Sequence, residues 1–399
     1  VNCQLDHANS WRRTLAGAVL LLALAQPAWA RQSASDVLSF LLINKSVSTG
    51  DFTRDEQAAA ATRDAIALFL RSELGTVPIN SPDSGFTYRW DPALGANVRS
   101  SDSFGPFFTA RSLTSGRQRL SFGVSYSQAT YDNIGGRKLR DGSLISIASV
   151  LQGDPQPFDA ETLTLRIQTR TTTVAGHWGV TDRLDLAAAM PFVTLTLSGE
   201  RVDTYRGTTY PQATGFASAS GPGDAIVRLK YNVLRRGASG LAVGGESRLP
   251  TGDADNFLGS GHASIAPWFI ASFERGRVGV HADTSYAFGG VSRELDYGGA
   301  LTIAGASRLT IVAEVMGRRL SSGGQLIETT EPRPGLVGVN TIRLTGTAQG
   351  ASRAFAVAGL RWNVVSRFLV SVSVLRPLTS TGLNASWVPT VTFDYSMGR

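Results

Sequence analysis

Cysteine is almost absent: Cys3 is the one thiol in 399 residues, and it precedes every segment with a folding pattern. Disulfide stapling and thiol chemistry are thereby excluded. Histidine is nearly as rare. Beyond the first thirty residues only His177, His262 and His281 occur. Apart from Asp283 near His281, none has the close acidic or thiol companions of a metal site. No metal or other cofactor is expected. Charge is thin as well: Asp, Glu, Lys and Arg make up 17% of the chain, where soluble domains carry roughly 25%. The net charge of +7 is scattered arginine, without the one-sided cluster of a nucleic-acid surface, so no nucleic-acid partner is expected. Long hydrophobic runs are missing too. Mean hydropathy is −0.01, and the apolar run Leu15 to Ala25 is too short to cross a bilayer as a helix. A helical membrane protein is excluded. A barrel, which hides its hydrophobicity on alternate residues, is not.

Glycine, at 43 residues, and alternation are what the chain has in quantity. The stretch Gly240 to Gly290 shows it best. Val278, Val280, Ala282, Thr284, Tyr286 and Phe288 fall on one parity, and Gly279, His281, Asp283, Ser285 and Ala287 on the other. Strand side chains alternate between faces, so this ribbon has one apolar side and one small or polar side. The preceding run places Ala263, Ile265, Pro267, Phe269, Ala271 and Phe273 together, with Trp268 and Ile270 interrupting the polar face. Glu274-Arg275-Gly276-Arg277 is the tight turn between them.

The N-terminus reads differently. Arg12-Arg13, the apolar run and Ala28-Trp29-Ala30 have the order of a signal peptide, so residues 1–30 are expected to be cleaved after export by the ordinary secretory route. Residues 31–84 are expected to be helical. Val37, Leu38, Leu41 and Leu42 have helical spacing, and Thr53-Arg54-Asp55-Glu56 reads as a capping box before the Ala-rich run 57–74, closed by Gly75 and Pro78. These helices would plug the lumen or lie on its periplasmic side. Residues 85–399 are expected to form the barrel, beginning with a hairpin over 85–101 and a strand over 104–113.

The connections decide the class. Residues 179–183, 235–239, 274–277, 305–308 and 365–367 are short turns, interleaved with mostly longer polar loops at 133–160, 199–221, 251–259, 289–293, 321–350 and 379–382. Short turns on the periplasmic side and long loops outside are the arrangement of an outer-membrane barrel. The expected fold is all-β: a transmembrane, antiparallel, up-and-down barrel of 12 to 14 strands with an N-terminal helical segment. Charge on the lipid face costs about 2–4 kcal/mol for Arg or Lys at the midplane, so charged residues on the strands are expected to face inward. Arg166, Arg170, Asp224, Arg228, Lys230, Glu246, Arg248, Asp283 and Glu314 are the candidate lumen residues for binding a solute.

The chain resembles a bacterial outer-membrane family, described as putative MetA-pathway of phenol degradation. The resemblance rests on Gly179-Val180-Thr181-Asp182-Arg183-Leu184 with Ala189-Met190-Pro191-Phe192, and on Gly223-Asp224-Ala225 with Lys230-Tyr231. It rests also on Leu249-Pro250-Thr251-Gly252-Asp253 with Gly259-Ser260-Gly261, and on Phe393-Asp394-Tyr395. It implies a passive channel for small aromatic or hydrophobic compounds, and carries over no substrate-binding residue. Met397 departs from it, standing where such barrels end on an aromatic residue.

The expected function is passive uptake of small organic solutes across the outer membrane. The partners would be outer-membrane lipid and lipopolysaccharide, the barrel-assembly machinery during insertion, and the solutes. A non-transporting barrel sealed by its own helices is the alternative. An outer-membrane lipid hydrolase using His262 and Ser264 is a remoter one, since the pair would face inward, away from lipid. The protein is therefore not expected to be an enzyme.

Overall fold

Twelve strands close into one antiparallel barrel. They are β1 Arg119–Ile134, β2 Asp159–Gly179, β3 Leu184–Tyr205, β4 Ala225–Arg236, β5 Ser239–Leu249 and β6 Ser264–Arg275, then β7 Val278–Gly289, β8 Glu294–Ala306, β9 Leu309–Leu320, β10 Ser352–Val365, β11 Phe368–Pro377 and β12 Val388–Met397. The structure is a computed structural model describing residues 32–44, 53–76, 85–323, 325–365 and 367–397. The expected signal peptide lies outside the described residues. Each strand pairs with the next, and β12 closes on β1 from Thr390↔Ser127 to Met397↔Leu120. Turns at 180–183, 237–238, 276–277 and 307–308 gather at one end. Gly276 has φ 56°, the left-handed conformation its tight turn requires. Faces follow the alternation: Phe269 and Phe273 are each 62% exposed on the outside, whereas Trp268 (6%) and Ile270 (2%) point inward.

Two strands outrun the rest. β2 has 21 residues and β3 has 22, about twice the 9–11 that cross a bilayer. Their far halves stand beyond the apolar belt at the long-loop end. There, Thr208–Pro222 pairs with β3, Leu144–Leu151 with β2, and Val339–Gly346 with Leu144–Leu151. In this extension the pattern inverts. Leu163, Leu165, Ile167, Leu195 and Leu197 are buried on the inside. Arg166, Gln168 and Arg170 are exposed on the outside. The inward placement expected for Arg166 and Arg170 is thus corrected. Below the belt's edge the outside is lipid hydrocarbon; above it the outside is polar, headgroups and then water, and the apolar side chains need cover from within.

That cover is the N-terminal helices, α1 Ala34–Ile43 and α2 Glu56–Leu74. Val37, Leu38, Leu41, Leu42, Ile66, Phe69 and Leu70 pack into one core with the five inward side chains of β2 and β3. Each fully buried Leu, Ile or Phe contributes roughly 1.5–3 kcal/mol, so the helices are held chiefly by this face. Ser33 and Asp36 form a capping box on α1. On α2 the cap is Asp55, which accepts from the Ala58 N–H at 3.0 Å. Gly75 ends α2 at φ −71°, an ordinary helical value. Its need for glycine is steric: a Cβ there would lie 2.7 Å from Gly259 C and Ser260 N.

Residues 85–118 are not barrel. Tyr88–Asp91 and Ala96–Arg99 pair only with each other. Residues 104–113, expected as a strand, are irregular and lie inside the lumen at the short-turn end. The wall therefore begins at Arg119, which makes the count twelve.

Candidate functional site

An irregular segment buried in a lumen cannot satisfy its own backbone, so the wall must do it. Glu314 on β9 accepts from the N–H groups of Phe107, Phe108 and Thr109, the last two at 3.1 and 2.9 Å. Asp283 on β7 accepts from Ala110 N at 2.9 Å and from the Trp268 indole at 3.2 Å. Asp185 accepts from Ser115 N at 3.1 Å. From the opposite sign, Lys230 on β4 donates to the carbonyls of Arg111 and Leu113, both at 3.1 Å. Asn232 donates to Ser112 O at 2.8 Å, and Arg361 to Pro106 O. Lys230, Asp283 and Glu314 are thus the clamps of a plug.

Above Phe108 the lumen opens into a cavity of about 170 Å³. Phe108, Trp268, Tyr297 and Phe355 supply its aromatic surface, and Ser264, Ala266, Ser285 and Ala287 are among its small side chains. Five of its charged groups are already engaged. Arg228 pairs with Glu246 at 2.6 Å and lies 5.0 Å from the Trp268 ring centre. Arg248 donates to Gly75 O at 3.1 Å. Arg318 donates to Thr76 O at 3.1 Å and pairs with Glu294 at 3.0 Å. Four of the expected residues, Arg228, Glu246, Arg248 and Asp283, therefore meet here, and Arg248 and Arg318 also hold the end of α2. A second cavity of about 100 Å³, lined by Tyr131, Pro191, Leu258 and Leu375, shares Phe108 and Phe355 with the first.

Asp224 does a different job. One carboxylate accepts from Gly252 N at 3.1 Å, Ser260 N at 2.8 Å and Ser260 Oγ at 2.6 Å. Thr251 bridges to Gly223 O at 2.7 Å and to Ala225 N at 2.9 Å. The motifs Gly223-Asp224-Ala225, Pro250-Thr251-Gly252 and Gly259-Ser260-Gly261 are one clasp, and it seats against Gly75. The same loop reaches α1, where Ala34 N donates to Asn256 Oδ1 at 3.0 Å.

Sequence reasoning missed Phe108, Phe355 and Trp268 as cavity residues. Trp268 carried a signal, standing on the inward parity of β6 among small side chains. Phe355 did too, since Ala354 and Ala356 occupy the outward parity. Phe108 carried none, because its segment has no period. His262 and Ser264 both line the cavity, but no bond between their side chains occurs among the described residues. Ser115 Oγ does meet His177 Nδ1 at 2.8 Å, with Asp185 3.3 Å from Nε2. All three are buried, neither cavity reaches them, and the group serves to fasten the plug.

Beyond the belt, on the inward face, a pH-sensitive cluster stands at the tip of the extension. Burial and a carboxyl–carboxyl contact with Asp203 push Asp159 up to about 8. Beside this pair, Arg54 binds Glu161 and the carbonyl of Leu42. Arg201 holds Asn44 O, and Arg333 holds Thr53 O.

Among solved structures, the fold is similar to that of a Pseudomonas aeruginosa FadL homologue (10% identity, TM-score 0.30, 70% of this chain and 90% of that one). It is also similar to the P. putida toluene transporter TodX (10%, 0.34, 71% and 90%) and to the CymD monoaromatic hydrocarbon channel (9%, 0.29, 71% and 90%). No curated protein matches. The sequence profile of one family matches residues 117–306, a span running from just before β1 to the end of β8. Over that span the chain is similar to the family described as Putative MetA-pathway of phenol degradation.

Proposed function

We propose that the protein is an outer-membrane channel for passive uptake of small aromatic or hydrophobic solutes, with the cavity at Trp268 as the solute's station. The observation that carries this reading is the cavity itself: aromatic surface inside the barrel, beside charges already paired. At about 170 Å³ it is comparable to an engineered apolar cavity of about 150 Å³ that takes up benzene. On this reading the long-loop end faces outside, and the apolar belt meets outer-membrane lipid and lipopolysaccharide. The barrel-assembly machinery inserts the chain.

Two exits fit the geometry. One follows the lumen and requires the plug to shift. The other is through the wall. β6 and β7 pair at Ser264↔Gly289 and Ile265↔Phe288 and resume at Trp268↔Ser285, leaving Ala266 and Pro267 unpaired. Proline has no N–H to donate there. Ala266, Ser285 and Ala287 line the cavity from within, so the interrupted ladder is its outer boundary. No energy-coupling element is part of this reading.

The sealed barrel is the second reading, favoured by α2 at one mouth and the clamped plug at the other. Vesicle swelling separates the two. Full-length protein in vesicles should admit a neutral aromatic solute too polar to cross lipid unaided. Swelling no faster than in protein-free vesicles would establish the sealed barrel instead.

A further inference from the structure

The outward face of the β2–β3 extension carries a polar patch with a form of its own. Arg166, Gln168 and Arg170 are exposed along one edge of β2. Cross-strand pairing sets Arg166 beside Ser198, Gln168 beside Thr196 and Arg170 beside Thr194. The next strand continues the rows with Phe216, Ser218 and Ser220. On the other side Arg170 adjoins Gln128 and Gln168 adjoins Thr130. Thr194 Oγ1 and Ser220 Oγ lie 2.9 Å apart. Glu200, beside Thr164, closes the top of the patch. Neither arginine has an ion-pair partner among the described residues.

Height fixes what this face meets. One row below Arg170 stand Tyr126, Thr172 and Phe192. Tyr126 is 44% exposed and Phe192 49%, the top of the apolar belt. Other strands change to arginine at the same transition: Arg376 lies one outward position above Val374, and Arg319 lies near the end of β9, both exposed. Arg170 is therefore at headgroup level, and Arg166, four residues on, about 13 Å farther along the strand. The side chains point away from the barrel, so their neighbour is the leaflet. Guanidinium groups suit phosphate oxygens, and the flanking hydroxyls and amides suit sugar hydroxyls. Phe216, 65% exposed, offers a surface for a sugar ring.

We infer that this face binds the phosphorylated sugar headgroup of the outer-leaflet glycolipid, lipid A, with Arg170 and Arg166 as its phosphate ligands. The inference rests on the outer-membrane placement but not on transport, so a failed swelling experiment leaves it standing.

The test uses full-length protein in mixed micelles, with bisphosphorylated lipid A, dephosphorylated lipid A or phosphatidylglycerol, read by native mass spectrometry. A basic side chain near an anionic surface contributes about fivefold. Arg166→Gln with Arg170→Gln should then weaken lipid A binding about 30-fold, with the folded form's heat-modifiable gel mobility unchanged. Arg376→Gln, away from the patch, should cost no more than about fivefold. Dephosphorylated lipid A should bind the wild type as poorly as lipid A binds the double variant. Undiminished binding by the double variant would overturn the inference. So would an equal loss in Arg376→Gln, or phosphatidylglycerol binding as tightly as lipid A.

Discussion

Replacing Glu314 by alanine removes the one acceptor shared by three consecutive plug amides, Phe107, Phe108 and Thr109. A hydrogen bond to a charged group contributes about 1.5–3 kcal/mol net. Simple addition would give well over 4 kcal/mol. The three bonds share a single carboxylate, however, and water enters the vacated site, so about 3 kcal/mol is the better figure. That is a factor of about 150 in the population of the displaced plug. Neighbouring clamps at Asp283 and Lys230 persist, so the barrel itself should fold normally. Amide exchange over residues 104–115, followed by mass spectrometry, should accelerate about 100-fold in Glu314→Ala, while the strands exchange as before. Glu314→Gln keeps one acceptor oxygen and should fall between. Unchanged exchange of the plug amides in Glu314→Ala would refute the clamp and remove the reason for treating the plug as a unit.

Other expectations follow from the clasp, the helix end and the extension. Asp224→Ala strips the acceptor for Gly252 and Ser260 and should destabilise the 251–260 loop by about 2–4 kcal/mol; limited proteolysis should cut it there, with Asp224→Asn partly protected. Gly75→Ala is tolerated by the backbone at φ −71° but drives a Cβ against Gly259 and Ser260, so its cost should show as faster amide exchange in α2 alone. With Asp159 raised from 3.8 to about 8, the folded state holds a proton that the unfolded chain gives up earlier. Its contribution is complete below about pH 4 and is lost as pH rises through about 8. Exchange at the tip of the extension should therefore speed up between those limits, and Asp203→Asn should flatten the dependence.

The β6–β7 hairpin was fully legible, because Phe269, Phe273, Val280 and Phe288 face lipid at every second position and nothing else competes for that face. The β2 strand was legible as a strand but not in orientation. Leu163, Leu165 and Ile167 alternate as cleanly as any lipid-facing row, and alternation alone does not say on which side water lies. That required knowing where the belt ends, which is set by neighbouring strands. The plug was illegible for a different reason. Residues 104–113 have no period, and their partners, Lys230, Asp283 and Glu314, stand more than a hundred residues away. The candidate site was half legible: Arg228, Glu246, Arg248 and Asp283 reach the cavity, whereas Phe108 becomes a cavity residue only once the plug is in place.

Filling the cavity tests the central claim most directly. Ala266 is buried on the inner face of β6, beside the unpaired stretch of the β6–β7 ladder, and lines the cavity. Uptake of a labelled small aromatic solute by cells carrying Ala266→Trp, at wild-type levels of folded barrel, should fall to that of cells lacking the protein. Uptake equal to wild type would place the solute's path elsewhere and contradict the account.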